Sequence, residues 1–415
     1  MTSRVLVAGA MIAGLFIVTC ASGARLRNIE IIVTGNKRTR TTYIKSLIYD
    51  YLKDYAIDNS EEINPAELKR YLLNTMLFSD TTIEVSSGTI SINVKERWTL
   101  FVLPFTRSEK GQASRYGGFL IENNLFGFGK KLIIGTTFSH SQTTYYLNYI
   151  DPSIFFSEWD SIISVGRSQK VFYRYRGEDR IDGMDEEERI LRLSLGYRFT
   201  PQLTCSVIYE DIQKNYNYLA GYTQPENFNP RSAGVKLQWK DTRFAFYFQE
   251  GFYAGLLFMH QLERNDEAGR EKEKSYRITA TLQEQKQVLK SSVIQIELNG
   301  AYLQGGDMRD AIYGGGENGL RGIPSDGVWV RKYLSVAIDY QIPILRRPGG
   351  TFTTAPFIDA GVLQEWDVES EYIRFYSYGI GMYYFLKEMA LPGFGLQIGS
   401  NKEYEKFFIS FRIGF

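Results

Sequence analysis

Between residues 98 and 415, apolar and polar side chains alternate in short runs, the period of strands whose two faces meet different surroundings. The first eight runs are WTLFVLPF (98–105), YGGFLIEN (116–123), KLIIGTTFSH (131–140), TYYLNYI (144–150), DSIISVGRS (160–168), ILRLSLGYRF (190–199), LTCSVIYED (203–211) and SAGVKLQWKD (232–241). The next eight are GFYAGLLFMHQ (251–261), YRITATLQE (276–284), SVIQIELNGAYL (292–303), KYLSVAIDYQI (332–342), TAPFIDAGVL (354–363), RFYSYGIGMYYF (374–385), GFGLQIGS (393–400) and FFISFRIGF (407–415). Connections after even-numbered runs are mostly short, such as NLFGFGK, TPQ and LRRPGG. Those after odd-numbered runs include long or charged ones, such as QKVFYRYRGEDRIDGMDEEE and ERNDEAGREKEK, with DEEER (185–189) expected in a solvated loop. Sixteen antiparallel strands with short turns at one end and long loops at the other predict an all-β transmembrane barrel over 98–415. An even strand number brings both chain ends to one side.

A soluble sandwich would use the same alternation to point its apolar face inward. The last run argues against it. Phe407, Ile409, Phe411, Ile413 and Phe415 share one face of a terminal strand. Exposed to water, five such residues on an edge invite aggregation, whereas a lipid-facing strand requires them.

The chain upstream reads differently. RNIEIIVTGN (27–36) alternates as a strand, and TTYIKSLIYDYLKDY has Ile44, Leu47, Ile48 and Tyr51 at helical spacing, with Thr39 or Thr41 as its expected cap. Asn64-Pro65 opens a second helix as cap and first-turn proline. TTIEVSSGTISINVKER reads as a hairpin turning near Ser87-Gly88. The order β-α-α-β-β defines a small α+β domain over 25–97. Before it, Arg4, the apolar run 5–18 and the small residues Ser22-Gly23-Ala24 predict an export signal over 1–24, cleaved near Arg25. Cleavage before a lipidated Cys20 is the alternative.

Composition adds little beyond this, and mostly by exclusion. With 48 basic and 47 acidic residues the net charge is +1, which gives nucleic acid no concentrated basic surface. Aromatics make up 15% of the chain, which suits interfacial girdles. After the apolar run 5–18 no segment is long and apolar enough for a transmembrane helix. The two histidines, His140 and His260, lie far apart, neither Cys205 nor any serine sits in a nucleophile motif, and no Cys/His metal spacing occurs. The sequence therefore offers no catalytic residues, no metal site and no cofactor.

One stretch needs its own account. In GGGENGLRG (314–322), Gly314, Gly316 and Gly319 satisfy a dinucleotide pattern, G-x-G-x-x-G. That reading needs a following helix, and LRGIPSDGVWV leads back into alternation instead. As the connection between the eleventh and twelfth strands, the segment reads as a hairpin folded into a wide polar lumen, with Arg321 at its tip. A buried arginine needs carboxylates, and Asp339 and Asp359 on the next two strands are the candidates. Phe357, Asp359 and Gly361 share one face by alternation.

Leu320-Arg321-Gly322-Ile323 together with Phe357-Ile358-Asp359-Ala360-Gly361 resembles the BamA/TamA-type outer-membrane assembly barrels, the bacterial surface antigen family, and the 25–97 unit resembles a POTRA domain. ENNLFGFGK and YIDPSIF are similar to the family's early barrel turns. Two departures stand out: Asp339 occupies a place where the family usually has Glu, and Ile323 one where an aromatic is commoner. The resemblance implies a sixteen-strand barrel in the cell outer membrane with the N-terminal domain in the periplasm. It also implies insertion of outer-membrane β-barrel proteins as the role, with unfolded clients, accessory periplasmic or lipoprotein subunits and the lipid bilayer as partners. Arg321, Gly322, Asp339 and Asp359 would form a lumenal latch, the bland reading being a loop that merely plugs a wide pore. Pro104, with Phe411 and Phe415 of the last strand, would form a lateral seam, unless Pro104 only marks a strand end. The 25–97 unit would bind clients by strand addition or serve as a spacer. A two-partner secretion pore and a passive porin are the competing functions.

Overall fold

The computed structural model describes residues 29–107, 115–139, 143–244, 248–266, 273–316, 320–324, 326–367, 371–389 and 393–413. The export signal and Cys20 lie outside them, as do Gly319 and Phe415.

The N-terminal unit runs β1 (Glu30–Thr34), α1 (Thr41–Asp54), α2 (Pro65–Asn74), β2 (Phe78–Ser86) and β3 (Thr89–Glu96). Its sheet order is β1-β3-β2, with β1 parallel and β2 antiparallel to the central strand. Tyr43, Ile44, Ile48, Tyr51 and Leu52 of α1 and Leu68 and Leu72 of α2 bury against Ile31, Phe78, Ile90, Ile92 and Val94 of the sheet. These apolar positions recur at helical and strand spacing, so one core closes between a helical and a sheet layer. Asn64 caps α2 by accepting the Ala66 N–H at 3.0 Å, with Pro65 in the first turn. The start of α1 departs from expectation: Arg40 is its cap residue, and no side chain caps it. Thr39 instead turns its hydroxyl to Asn124 of the barrel, at 2.9 Å.

The barrel comprises β4 (Leu100–Arg107), β5 (Arg115–Leu125), β6 (Lys130–Phe138), β7 (Thr143–Asp151), β8 (Trp159–Arg176), β9 (Asp179–Arg198), β10 (Leu203–Asn217) and β11 (Phe228–Phe244). It continues through β12 (Gln249–Asp266), β13 (Tyr276–Val288), β14 (Ser292–Gln304), β16 (Val328–Arg347), β17 (Gly350–Glu365), β18 (Ile373–Leu386), β19 (Phe394–Asn401) and β20 (Glu405–Ile413). A three-residue strand, β15 (Ile312–Gly314), belongs to the β14–β16 connection and pairs with the start of β16. The sixteen long strands close into one sheet, β20 lying next to β4. Along β18, Tyr376, Tyr378, Ile380 and Met382 are exposed on the outside, while Phe375, Ser377 and Tyr383 are buried inside. That alternation gives an apolar outer face and a mixed lumen, as a lipid-facing barrel requires. No helix among the described residues is long and apolar enough to cross a membrane.

One sequence expectation is overturned. Residues 169–188 are not a long loop: β8 and β9 pair through Arg176 and Asp179, turning at Gly177-Glu178. DEEER accordingly lies on β9, and Glu186 is buried. Over 185–189 both faces of β9 are charged, so the alternation of hydrophobicity that marks a strand disappears there.

Among the described residues, β8 to β12 run for 15–20 residues, β4 and β19 for 8 each and β20 for 9.

Candidate functional site

The β16–β17 register sets Asp339 opposite Phe357 and Ala337 opposite Asp359, so the two aspartates stand diagonally on the inner face. Ser377 of β18 faces Asp359 from the other side. Into this inner face comes the β14–β16 connection. Gly315 has φ 133° and Gly322 φ 79°, both in the region that favours glycine, and a Cβ on Gly315 would sit 1.9 Å from the Pro324 carbonyl oxygen. The Gly316 N–H donates to the carbonyls of Leu320 (3.2 Å) and Ile323 (2.8 Å), closing a tight turn that presents Arg321.

Arg321 Nη1 donates to Asp339 Oδ1 at 2.7 Å and Nη2 to Asp339 Oδ2 at 3.1 Å. Its Nε donates to Asp359 Oδ2 at 2.8 Å, Nη2 reaches Asp359 Oδ1, and its backbone N–H donates to Asp359 Oδ2 at 3.2 Å. The guanidinium also lies 3.8 Å from the centre of the Phe357 ring. All three ionic residues are buried: Arg321 2%, Asp339 5% and Asp359 0% exposed. Two forked carboxylate contacts and a stacking face use the planar geometry that distinguishes arginine from lysine. Leu320 and Ile323, on either side of Arg321-Gly322, pack with Val328, Val330, Leu363 and Phe375. The tip is therefore held by ions at its centre and by apolar contacts at its flanks.

A second ionic group, absent from the sequence reading, holds the root of the same connection. Arg264 of β12 pairs with Asp307 and Asp310, both at 2.5 Å, and Arg309 pairs with Asp307 at 2.6 Å. The two arginines flank the Phe228 ring at 4.5 and 4.8 Å. Asp307 accepts the Arg309 N–H at 3.0 Å while Asp310 accepts the Asp307 N–H at 2.9 Å, a capping box on the short helical turn 308–310. The D-x-x-D spacing of DMRD was the signal available for it. Beside it, Lys214 pairs with buried Glu186 at 3.1 Å, next to Phe172, Tyr216, Tyr313 and Trp329.

The residues singled out for a seam are less closely grouped. Pro104 is exposed on β4, opposite Gly118 of β5, and supplies no N–H to the ladder. Phe411 lies on β20 opposite Leu396 of β19. Their strands, β4 and β20, are neighbours at the closure.

At the short-turn end the N-terminal unit rests on the barrel. The Arg40 N–H donates to the Gly127 carbonyl at 2.9 Å, and Arg97 Nη1 to the Met389 carbonyl at 3.4 Å. Arg198, at the end of β9, pairs with Asp54 of α1 at 3.3 Å, and Lys95 of β3 with Glu388 at 2.9 Å.

Residues 124–386 match the Omp85 superfamily domain. Among solved structures, the chain is similar to BamA from Haemophilus ducreyi lacking POTRA domains 1–3, with 13% identity and a TM-score of 0.53 over 93% of this chain and 85% of that one. It is similar to CdiB from Escherichia coli, with 13% identity and a TM-score of 0.62 over 93% and 76%. CdiB from Acinetobacter baumannii gives 13% identity and a TM-score of 0.53 over 92% and 73%. At such identities the likeness concerns the fold. No curated protein sequence matches the chain.

Proposed function

The chain belongs to the Omp85 superfamily, as an outer-membrane barrel of the BamA/TamA type, and from that premise we propose that it folds and inserts other β-barrel proteins into the outer membrane. The observation that carries this reading is the closure itself, where the first and last barrel strands, β4 and β20, meet. Pro104 removes one ladder donor there, and the exposed backbone of an opened seam would template the strands of a client. Phe411 lies on that seam's terminal strand, β20.

In this reading residues 1–24 are an export signal, 25–97 form a POTRA-like periplasmic domain and 98–415 form the barrel. Clients arrive unfolded from the periplasm, where β1 and β2 leave both edges of the small sheet open to strand addition. Accessory periplasmic or lipoprotein subunits would share that surface. The Arg321 latch keeps the lumen occupied while the seam works, so the lumen is not the route of entry. Two cysteines that cross-link β4 to β20 should abolish client folding and leave the barrel's heat-modifiable migration unchanged. Undiminished folding by the cross-linked barrel, or release of one dedicated exported protein through it, would put translocation through the lumen in place of assembly.

A further inference from the structure

Where the N-terminal unit meets the barrel, a cavity of about 570 Å³ lies between residues 36–41, the start of β4 and the β5–β6 turn. Three of its residues, Lys37, Arg38 and Arg40, are exposed cations. Among the described residues no carboxylate stands within ion-pair distance of any of them. The nearby carboxylates are otherwise engaged. Glu96 accepts the backbone N–H groups of Lys37 (3.0 Å), Arg38 (3.0 Å) and Thr39 (2.7 Å), and Glu122 accepts the Asn124 N–H at 2.7 Å. The amino end of α1, uncapped by any side chain, adds its partial positive charge at the same place.

Around this cationic cavity the surface is aromatic. Trp98 is 51% exposed and carries the Arg38 guanidinium 4.1 Å from its ring centre. Phe126, which lines the cavity, is 73% exposed. Phe126 has a left-handed backbone, φ 58°, where a bulky side chain is disfavoured and glycine would be easier. A large apolar ring kept in water on a strained turn has a use for the ring itself. Leu100 and Val102, exposed on the outer face of β4, continue the apolar surface from this rim along the barrel wall. Cations and aromatics together at the edge of a lipid-facing band are the composition of a membrane interface.

We propose that Lys37, Arg38 and Arg40 bind the phosphate headgroup of an anionic phospholipid in the leaflet facing the N-terminal unit, with Trp98 and Phe126 seated among its acyl-chain roots. The choice of leaflet rests on the periplasmic placement proposed above; the binding itself does not. A lipid held here lies at the foot of β4, beside the closure, and ties the N-terminal unit to the bilayer as well as to the barrel turns.

The test is native mass spectrometry of the full chain released from neutral detergent containing phosphatidylglycerol, with phosphatidylcholine and inorganic phosphate as comparison probes. The wild-type chain should retain phosphatidylglycerol and not phosphatidylcholine. The triple variant Lys37→Gln, Arg38→Gln, Arg40→Gln should bind it roughly 100-fold more weakly, since each cation near an anionic surface contributes about a factor of five. Unchanged heat-modifiable migration would show that the variant is folded. Phe126→Ala, which keeps all three charges, should also weaken retention. Equal retention by wild type and triple variant overturns the proposal. Displacement of the lipid by millimolar inorganic phosphate overturns the lipid as ligand and leaves a free-anion site. No client is present, so a failed lipid site and a failed assembly role give separate signatures.

Discussion

Removing the Arg321 guanidinium would leave Asp339 and Asp359 facing each other, buried and uncompensated. Breaking a buried ionic cluster by deleting one partner typically costs about 3–5 kcal/mol. The barrel has many strand pairs that do not touch this site, so Arg321→Ala should keep a folded, heat-modifiable barrel while the loop leaves the inner wall. Single-channel recordings should then show frequent large openings where the wild-type chain is mostly closed. Arg321→Lys should resemble the alanine variant, because one ammonium cannot fork onto two carboxylates and stack on Phe357 at once. Quiet recordings from both variants would mean that the flanking contacts of Leu320 and Ile323 hold the loop without the ion cluster. At this scale the sequence was informative because the chemistry is sparse: an arginine at a glycine-rich tip needs carboxylates, and alternation offered two on the adjoining strands. It gave no sign of how Asp339, shorter than a glutamate, makes its contact. The structure brings the loop close enough that both of its oxygens accept.

Among the elements, the β14–β16 connection is fixed at two points, its tip by Arg321 and its root by the Arg264–Asp307–Asp310–Arg309 group. Arg264→Gln should loosen the root and spare the tip. Brief partial openings in single-channel recordings, smaller than those of Arg321→Ala, are the expected result, and full-size openings would show that the two points do not act separately. The root escaped sequence reading because Arg264 and Asp307 are joined only by the fold, through strands whose pairing brings β12 and the start of the connection together. The ends of β8 and β9 escaped for another reason. Asp185, Glu186, Glu187 and Glu188 follow one another along β9, so both of its faces are charged there and periodicity of hydrophobicity has nothing to register. All sixteen long strands were legible where one face meets lipid, since there the physics imposes contrast on successive residues.

For the whole molecule, the joint between the two parts carries charge that responds to pH. Burial raises the Asp50 carboxyl to about 6, with Arg198 opposing the shift, and burial raises Asp54 as well. A carboxyl raised in the folded state holds its proton more tightly there than in the unfolded chain. The stability of the N-terminal unit should therefore fall as pH rises from the ordinary carboxylate range through about 6. Asp50→Asn should flatten much of that slope and raise the unit's melting temperature at neutral pH, by roughly 4–8 °C if the gain is about 1 kcal/mol. Helical circular dichroism reports it, because both helices among the described residues longer than one turn lie in this unit. A slope unchanged in the variant would mean that other groups in the joint set the response.

The central claim is that a latched lumen and a lateral seam make this barrel an assembly factor. Its most direct test is the folding rate of a small urea-denatured β-barrel protein added to liposomes that contain the purified chain. The account predicts folding faster than in protein-free liposomes of the same lipid, with the acceleration greatly reduced by Arg321→Ala although that variant remains heat-modifiable. No acceleration by a folded wild-type barrel would contradict it.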